Sequence, residues 1–154
     1  MNYFNYEKEL IVSIISAGTT PKAIDVLESI TTEMFSNEHC AYLYDKIQDM
    51  YRSGEPIDQT ELIGSLPSDD MHMVIEFFKQ SSGSASNVRG YAKRVRQGHL
   101  IRKAQKTMLH AIQELETCNN ESRIGDVANY LEQTIKSLVI ETDEKKPRSF
   151  EQIA

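Results

Sequence analysis

One long helical pattern in the second half of the chain constrains the fold more than any other feature. Residues 87–116 contain no proline and only two glycines, Gly90 and Gly98. At about 100° per residue, their larger apolar side chains collect on one side. We expect either a single helix of about thirty residues or two helices joined at Gly98, because glycine costs roughly 1 kcal/mol relative to alanine inside a helix. Helices that long usually extend away from a domain or mediate assembly.

A second amphipathic pattern follows after a short polar turn. The turn reads CNNES, and residues 122–140 again carry apolar side chains at three-and-four spacing, close to a coiled-coil seam. Two long helices joined by a short turn form an antiparallel hairpin. We therefore predict a helical hairpin over residues 84–140.

The preceding residues, 1–83, contain shorter helical patterns that form a small head. Gly18 and Gly54 are placed to end helices, and Pro21 is placed to begin one. Asp58 and Ser68 are expected to cap the last two helices of the head. The predicted helices are 6–17, 21–30, 37–53, 59–66 and 71–80. The fold class is thus all-α, a head of about five to six short helices followed by a long antiparallel helical hairpin.

Residues 141–154 are predicted to be a linker and the start of a further helix. The stretch TDEKKPR is charged and contains a proline, which is typical of a linker. Ser149 to Gln152 then fit the pattern of a capping box, and Phe150 and Ile153 share one side of a helix. A helix this short is not stable alone, so it needs a partner to pack against.

Composition places the chain among ordinary globular proteins, with 40% hydrophobic and 26% charged residues. Its apolar runs are far shorter than the ~20 residues that span a bilayer, and its first residues do not form a signal peptide. We expect a cytoplasmic protein with no membrane partner. The two cysteines, Cys40 and Cys118, are far apart in sequence and are expected to be reduced thiols.

Charge is distributed unevenly, although the net charge is only −6. No acidic residue occurs between Phe77 and Gln113, while eight lysines and arginines do. This stripe has two interpretations: a solvated face that balances an acidic surface, or a set of contacts to nucleic-acid phosphates. The candidate phosphate contacts are Arg89, Lys93, Arg96, Lys103 and Lys106.

The apolar stripes of the predicted hairpin are broader than the contact between its two helices requires. We therefore expect a further partner helix to cover part of them. The candidate residues of this oligomer or partner interface are Met108, Leu109, Ile112, Leu115, Ile124, Val127, Leu131, Ile135 and Leu138.

Patterns for catalysis and cofactor binding are missing from the sequence. The small loop SSGSASN lacks the Gly-Lys-Ser/Thr ending of a phosphate-binding loop. Histidines and cysteines do not follow metal-ligand spacing, and Asp69 and Asp70 are better explained as acids in a first helical turn. We expect no catalytic residue, cofactor or metal in this chain.

Three stretches together resemble the N-terminal domain of the DnaB family of bacterial and phage replicative DNA helicases. Residues 7–12, EKELIV, resemble the family's E-x-E-x-x-V first helix. Residues 53–58, SGEPID, are similar to its SG-x-PID, and residues 84–97, SASNVRGYAKRVRQ, are similar to its SA-x-N-x-x-x-YA-x-x-VR. These motifs occur in the family's order and separations, and the resemblance covers essentially the whole chain.

The resemblance implies a collar domain that forms dimers, and a trimer of dimers, on a hexameric helicase ring. The hairpin stripes would carry subunit pairing and part of the platform for a DnaG-type primase or a helicase loader. ATP and Mg²⁺ would bind only in the motor domain that follows in the family. Residues 1–154 include no part of that motor domain. Phe150 and Ile153 would begin a linker helix that docks on the neighbouring subunit's ATPase domain.

Two other functions stay open at this point. A free-standing protein of the same fold, encoded by a phage, would modulate a host helicase. Alternatively, a small helical DNA-binding protein would use the basic stripe at 89–106 on single-stranded DNA.

Overall fold

The computed structural model describes residues 3–81 and 85–144, and all regular elements in these residues are helical, as predicted. Two short 3₁₀ turns, Thr32–Met34 and Ala85–Asn87, accompany the α-helices. The helices are α1 (Tyr3–Ala17), α2 (Pro21–Ser29), α3 (Glu38–Arg52), α4 (Gln59–Gly64), α5 (Ser68–Gln80), α6 (Val88–Glu116) and α7 (Glu121–Glu144).

The ends of the short helices follow the local signals in the sequence. Gly18 and Gly54 have φ angles of 65° and 72°, the left-handed conformation that glycine adopts after a helix. The Asp58 carboxylate accepts a hydrogen bond from the backbone N–H of Glu61 at 2.8 Å, so the predicted cap of α4 is confirmed. The predicted cap at Ser68 is wrong: Pro67 occupies the capping position, and Ser68 is the first helical residue.

The chain consists of two compact units, residues 1–99 and residues 100–154. We call them the N-terminal unit and the C-terminal unit. The division lies within α6, later than the predicted limit of the head at residue 83. The first three turns of α6 belong to the N-terminal unit because Val88, Ala92 and Val95 are part of its buried apolar core.

The N-terminal unit has a well-closed apolar core. Leu10 and Ile14 of α1 and Leu43 and Ile47 of α3 are completely buried. Tyr44 lies among them, and its hydroxyl donates a hydrogen bond to the Ile30 carbonyl at 2.7 Å, beside the end of α2. Burying apolar surface of this kind is the main favourable term in folding, so this unit has a core of its own.

A buried carboxylate ties α1 to the start of α3. Glu7 is completely buried, and one of its oxygens accepts hydrogen bonds from the backbone N–H groups of Ser36 and Asn37 at 2.9 and 3.0 Å. The Ser36 hydroxyl donates to the other oxygen. Asn37 in turn caps α3 by accepting from the N–H groups of His39 and Cys40. Glu7 thereby pairs two backbone donors that directly precede α3.

Helix α6 is continuous through Gly98, so the alternative of two helices joined there is wrong. Gly98 instead lies against the Tyr3 side chain within the N-terminal unit. A Cβ atom at this position would lie 2.8 Å from the Tyr3 ring. At its other end the predicted hairpin also extends further than expected, because α7 continues to Glu144, past the predicted limit at residue 140.

Candidate interaction surfaces of the C-terminal unit

The last part of α6 and α7 pack as an antiparallel pair in the C-terminal unit. The Arg123 guanidinium donates to the Glu114 carboxylate at 2.8 Å, and the His110 and Tyr130 rings meet edge to face at 5.0 Å. The second contact lies earlier in α6 and later in α7 than the first, as expected for the two helices of an antiparallel hairpin. The turn between them is residues 117–120.

Small side chains form the α6 side of the seam between the two helices. Thr107 and Ala111 are buried to 7% and 3% exposure, and Ala104 is half-buried one turn before them. On α7, Val127 is buried, and Leu131 is half-buried one turn later. Because these α6 residues are small, their packing leaves the large apolar side chains of the helix outside the seam.

Those large side chains form an exposed apolar face. On α6, the large apolar residues lie roughly a quarter turn around the helix axis from Ala111. On α7, the corresponding residues lie roughly a quarter turn from Val127, in the direction that places them on the same side of the helix pair. Leu115 and Ile124 line one groove together, which places the two stripes on the same side of the pair. The apolar face consists of Ile101, Met108, Ile112, Leu115, Ile124, Ile135 and Val139, all between 44% and 55% exposed.

The opposite side of the pair is polar. His110 and Tyr130 line a second groove of about 310 Å³, together with charged side chains from both helices. Lys106 and Lys103 lie on the same side of α6, one and two turns before His110. The polar face consists of Lys103, Lys106, His110, Glu114, Arg123, Asp126 and Tyr130.

The structure divides the predicted interface residues between three environments. Val127 is buried in the seam, and Leu131 and Leu138 are half-buried. The sequence pattern did not separate these seam positions from the outer stripe, and it missed Val139 and Tyr130, which are 52% and 41% exposed. Phe150 and Ile153 lie outside the described residues. The exposed members of the predicted set are Met108, Leu109, Ile112, Leu115, Ile124 and Ile135.

The predicted phosphate contacts are likewise divided. Arg89 forms an ion pair with Asp25, a contact 64 residues away that the sequence did not reveal. Arg96 is half-buried, whereas Lys93, Lys103 and Lys106 are exposed. Of the basic stripe, Arg89 thus pairs within the N-terminal unit, whereas Lys103 and Lys106 lie on the polar face of the C-terminal unit.

Residues 3–81 and 85–144 contain no group of three histidine, cysteine or acidic side chains that could hold a metal. Burial raises the pKa of the Cys40 thiol to about 12, which keeps it protonated and unreactive at neutral pH. Among the same residues, the helices are all too short or too polar to cross a membrane.

Comparison with solved structures identifies the architecture. The chain is similar to the crystal structure of the N-terminal domain of DnaB helicase from Mycobacterium tuberculosis, with a TM-score of 0.70 and 20% sequence identity. The likeness covers 87% of this chain and 96% of that one. At this identity it establishes the fold, an all-helical domain with a long helical hairpin.

The sequence itself matches a family model. Residues 2–97 match the model described as the DnaB-like helicase N-terminal domain, and this chain therefore belongs to that family. A search of curated proteins found no match. The family's N-terminal domain does not include the ATPase domain, whereas the full-length helicases are ATP-dependent.

Proposed function

We propose that this chain is the assembly and partner-docking domain of a hexameric replicative DNA helicase. In this function it pairs with a second copy, contributes to a trimer of dimers, and recruits a DnaG-type primase or a helicase loader. It has no catalytic or cofactor-binding function of its own, and it acts in the cytoplasm. The single observation that supports the proposal best is the apolar face of the C-terminal unit.

That face is too large to be incidental surface. Seven large apolar residues from two helices are exposed side by side, whereas apolar residues scattered singly are normal on a protein surface. Along α6 the face extends from Ile101 to Leu115, about 21 Å at 1.5 Å per residue. Its width of two helices suits a second helical pair, because each exposed stripe can then pack on a helix of the partner.

Sedimentation of two matched variants tests the pairing. We expect the parent domain to form concentration-dependent dimers, and Ile112→Asp to be monomeric, because the substitution places a charge within the apolar face. Gln113→Asp is the control, since it introduces the same side chain one residue later on exposed surface outside the face. An Ile112→Asp domain that is as dimeric as the parent would refute pairing through this face.

Partner docking needs a separate measurement. Primase and loader candidates from the source organism are captured on the immobilised parent, on Ile112→Asp and on Gln113→Asp. If partners dock on the same face, Ile112→Asp loses them and Gln113→Asp retains them. A partner retained by all three proteins binds elsewhere, and a domain that captures neither protein contradicts the docking function.

A further inference from the structure

The charges of the N-terminal unit are divided between an acidic surface and a basic surface. Residues 53–78 contain six acidic residues and no lysine or arginine. The part of α6 that belongs to this unit, residues 88–99, contains four lysines and arginines and no acid. We propose that the acidic surface of one subunit binds the basic surface of a second copy of the chain. The inference rests on the proposed ring assembly and supplies a contact that the apolar face does not.

The acidic surface lies where α4 and α5 begin. Helix α4 has six residues, about 9 Å at 1.5 Å per residue, and only three residues connect it to α5, which it contacts. The acids at the starts of the two helices therefore belong to one region of the unit. The acidic surface consists of Glu55, Asp58, Glu61 and Asp69, all of them exposed.

Helix capping explains where these acids lie but not why cations are missing beside them. Asp58 caps α4, and Asp69 lies in the first turn of α5. Near the other end of α5, by contrast, Glu76 pairs with Lys79 at 3.6 Å. In the described part of the chain, the carboxylates of the acidic surface form no ion pair, so the chain does not compensate their charge.

The basic surface consists of Lys93 and Arg94, two exposed cations of α6. The Arg94 guanidinium lies over the Tyr6 ring, 5.7 Å from its centroid. Such a contact uses the flat face of the guanidinium and leaves its N–H donors for a carboxylate, which they can bind in pairs. Arg89 does not belong to this surface, because Asp25 already pairs with it. Neither cation of the basic surface forms an ion pair with another described residue.

The proposed ring needs a second contact of this kind. In a trimer of dimers each subunit has two neighbours, whereas an isologous interface uses the same patch on both subunits and joins only one of them. Another surface must therefore meet the other neighbour. Exposed ion pairs are weak by themselves, but they become effective between subunits that the ring holds at high local concentration.

Exchanging the charges tests the contact by sedimentation at low salt. Glu61→Lys with Asp69→Lys makes both surfaces positive, and Lys93→Glu with Arg94→Glu makes both negative. We expect the parent to form assemblies larger than dimers, each double variant to lose them, and an equimolar mixture of the two to regain them. Both variants remain net negative, since each changes the parent's −6 by four, so net charge cannot cause the recovery.

A mixture that assembles no better than its two components would overturn the proposal. The control is Lys22→Glu with Lys79→Glu, which changes the net charge by the same amount at exposed positions outside both surfaces and should keep the assemblies. An equal loss in the control would show that only net charge matters. Assemblies that persist undiminished in 1 M salt would also contradict the contact, because the Debye length is then only about 3 Å.

The same exchange in an Ile112→Asp chain separates this contact from pairing through the apolar face. If Ile112→Asp abolishes the dimers, the charged surfaces should still join the monomers at low salt. If the dimers survive, pairing through the apolar face is wrong, and loss and recovery on charge exchange still decide the charged contact.

Zero-length cross-linking locates the contact. A carbodiimide joins a lysine amine to a carboxylate that touches it, and a mixture of isotopically light and heavy protein shows which links connect two copies. Lys93 should be linked to Glu61 or Asp69 of another copy. Links from Lys93 that stay within one chain, or that reach only acids outside the acidic surface, would refute the proposal.

Discussion

The two units of this domain differ in how far their apolar residues are buried. In the N-terminal unit, Leu10, Ile14, Leu43 and Ile47 are fully buried in one core. In the described part of the C-terminal unit, Ala111 and Val127 are the buried hydrophobic residues, while larger side chains are about half exposed. The first unit is stabilised by its own interior, whereas the second leaves most of its larger apolar side chains exposed.

Alanine substitution of one leucine in each unit should show the largest difference in stability between the two units. Leu43→Ala removes a completely buried side chain from the N-terminal core and should lower the free energy of unfolding by about 3 kcal/mol. Leu115→Ala, at a position 45% exposed, should change it by less than about 0.5 kcal/mol. Urea unfolding of dilute, monomeric protein measures both. Equal losses would mean that the C-terminal unit is better packed than its exposed face indicates.

Glu7 tests the polar interior of the N-terminal unit. Glu7→Gln replaces the carboxylate that accepts from Ser36 and Asn37, and hydrogen bonds to a charged group contribute about 1.5–3 kcal/mol. We expect a loss of about 2 kcal/mol in thermal or urea unfolding. Glu33→Gln, on exposed surface, is the control and should have no measurable effect. Similar stability of the two variants would show that α3 does not depend on this tie.

Replacing Gly98 and Gly125 by alanine should change the free energy of unfolding in opposite directions. At Gly98 the new Cβ would lie 2.8 Å from the Tyr3 ring, and the crowding should exceed the gain in helix propensity, for a net loss of about 1 kcal/mol. At Gly125 the space is open, so the same change should stabilise the monomer by about 1 kcal/mol. Stabilisation at both positions would rule out a packing role for Gly98.

Substitution of Ser13 should have the smallest effect on stability, and it tests a buried polar group in the N-terminal core. Its side chain is completely buried, and its hydroxyl has no hydrogen-bond partner. Ser13→Ala removes an unpaired polar group and should stabilise the domain by up to about 1 kcal/mol. Ser16→Ala, on the exposed side of α1, measures the contribution of helix propensity alone. A destabilised Ser13→Ala variant would contradict the unpaired state of this hydroxyl.

Local signals made most of the fold predictable from sequence. Apolar spacing predicted the helices, and Gly18, Gly54 and Asp58 marked their ends because turn and cap chemistry depends on neighbouring residues. The contact between Gly98 and Tyr3 joins residues far apart in the chain, and no local pattern indicates it. For that reason the glycine looked like a bend rather than a packing position.

The candidate surfaces were predictable only in outline. Helical spacing shows which side of α6 carries large apolar residues, but it does not show which stripe the chain covers with its own α7. Small residues, Thr107 and Ala111, occupy that seam, so the large ones stay exposed. In the same way, the pairing of Arg89 with Asp25 removes one cation from the predicted phosphate contacts through a tertiary contact.

The small-residue seam also bears on how a cell would handle unassembled copies. Since Thr107 and Ala111 are small, their burial contributes little to the stability of the C-terminal unit within one chain, and the proposed covering of its apolar face by a partner would add stability by mass action. A surplus copy would display that face to chaperones and proteases, which act on exposed apolar segments. The surface proposed to drive assembly would then also limit the lifetime of subunits that fail to assemble.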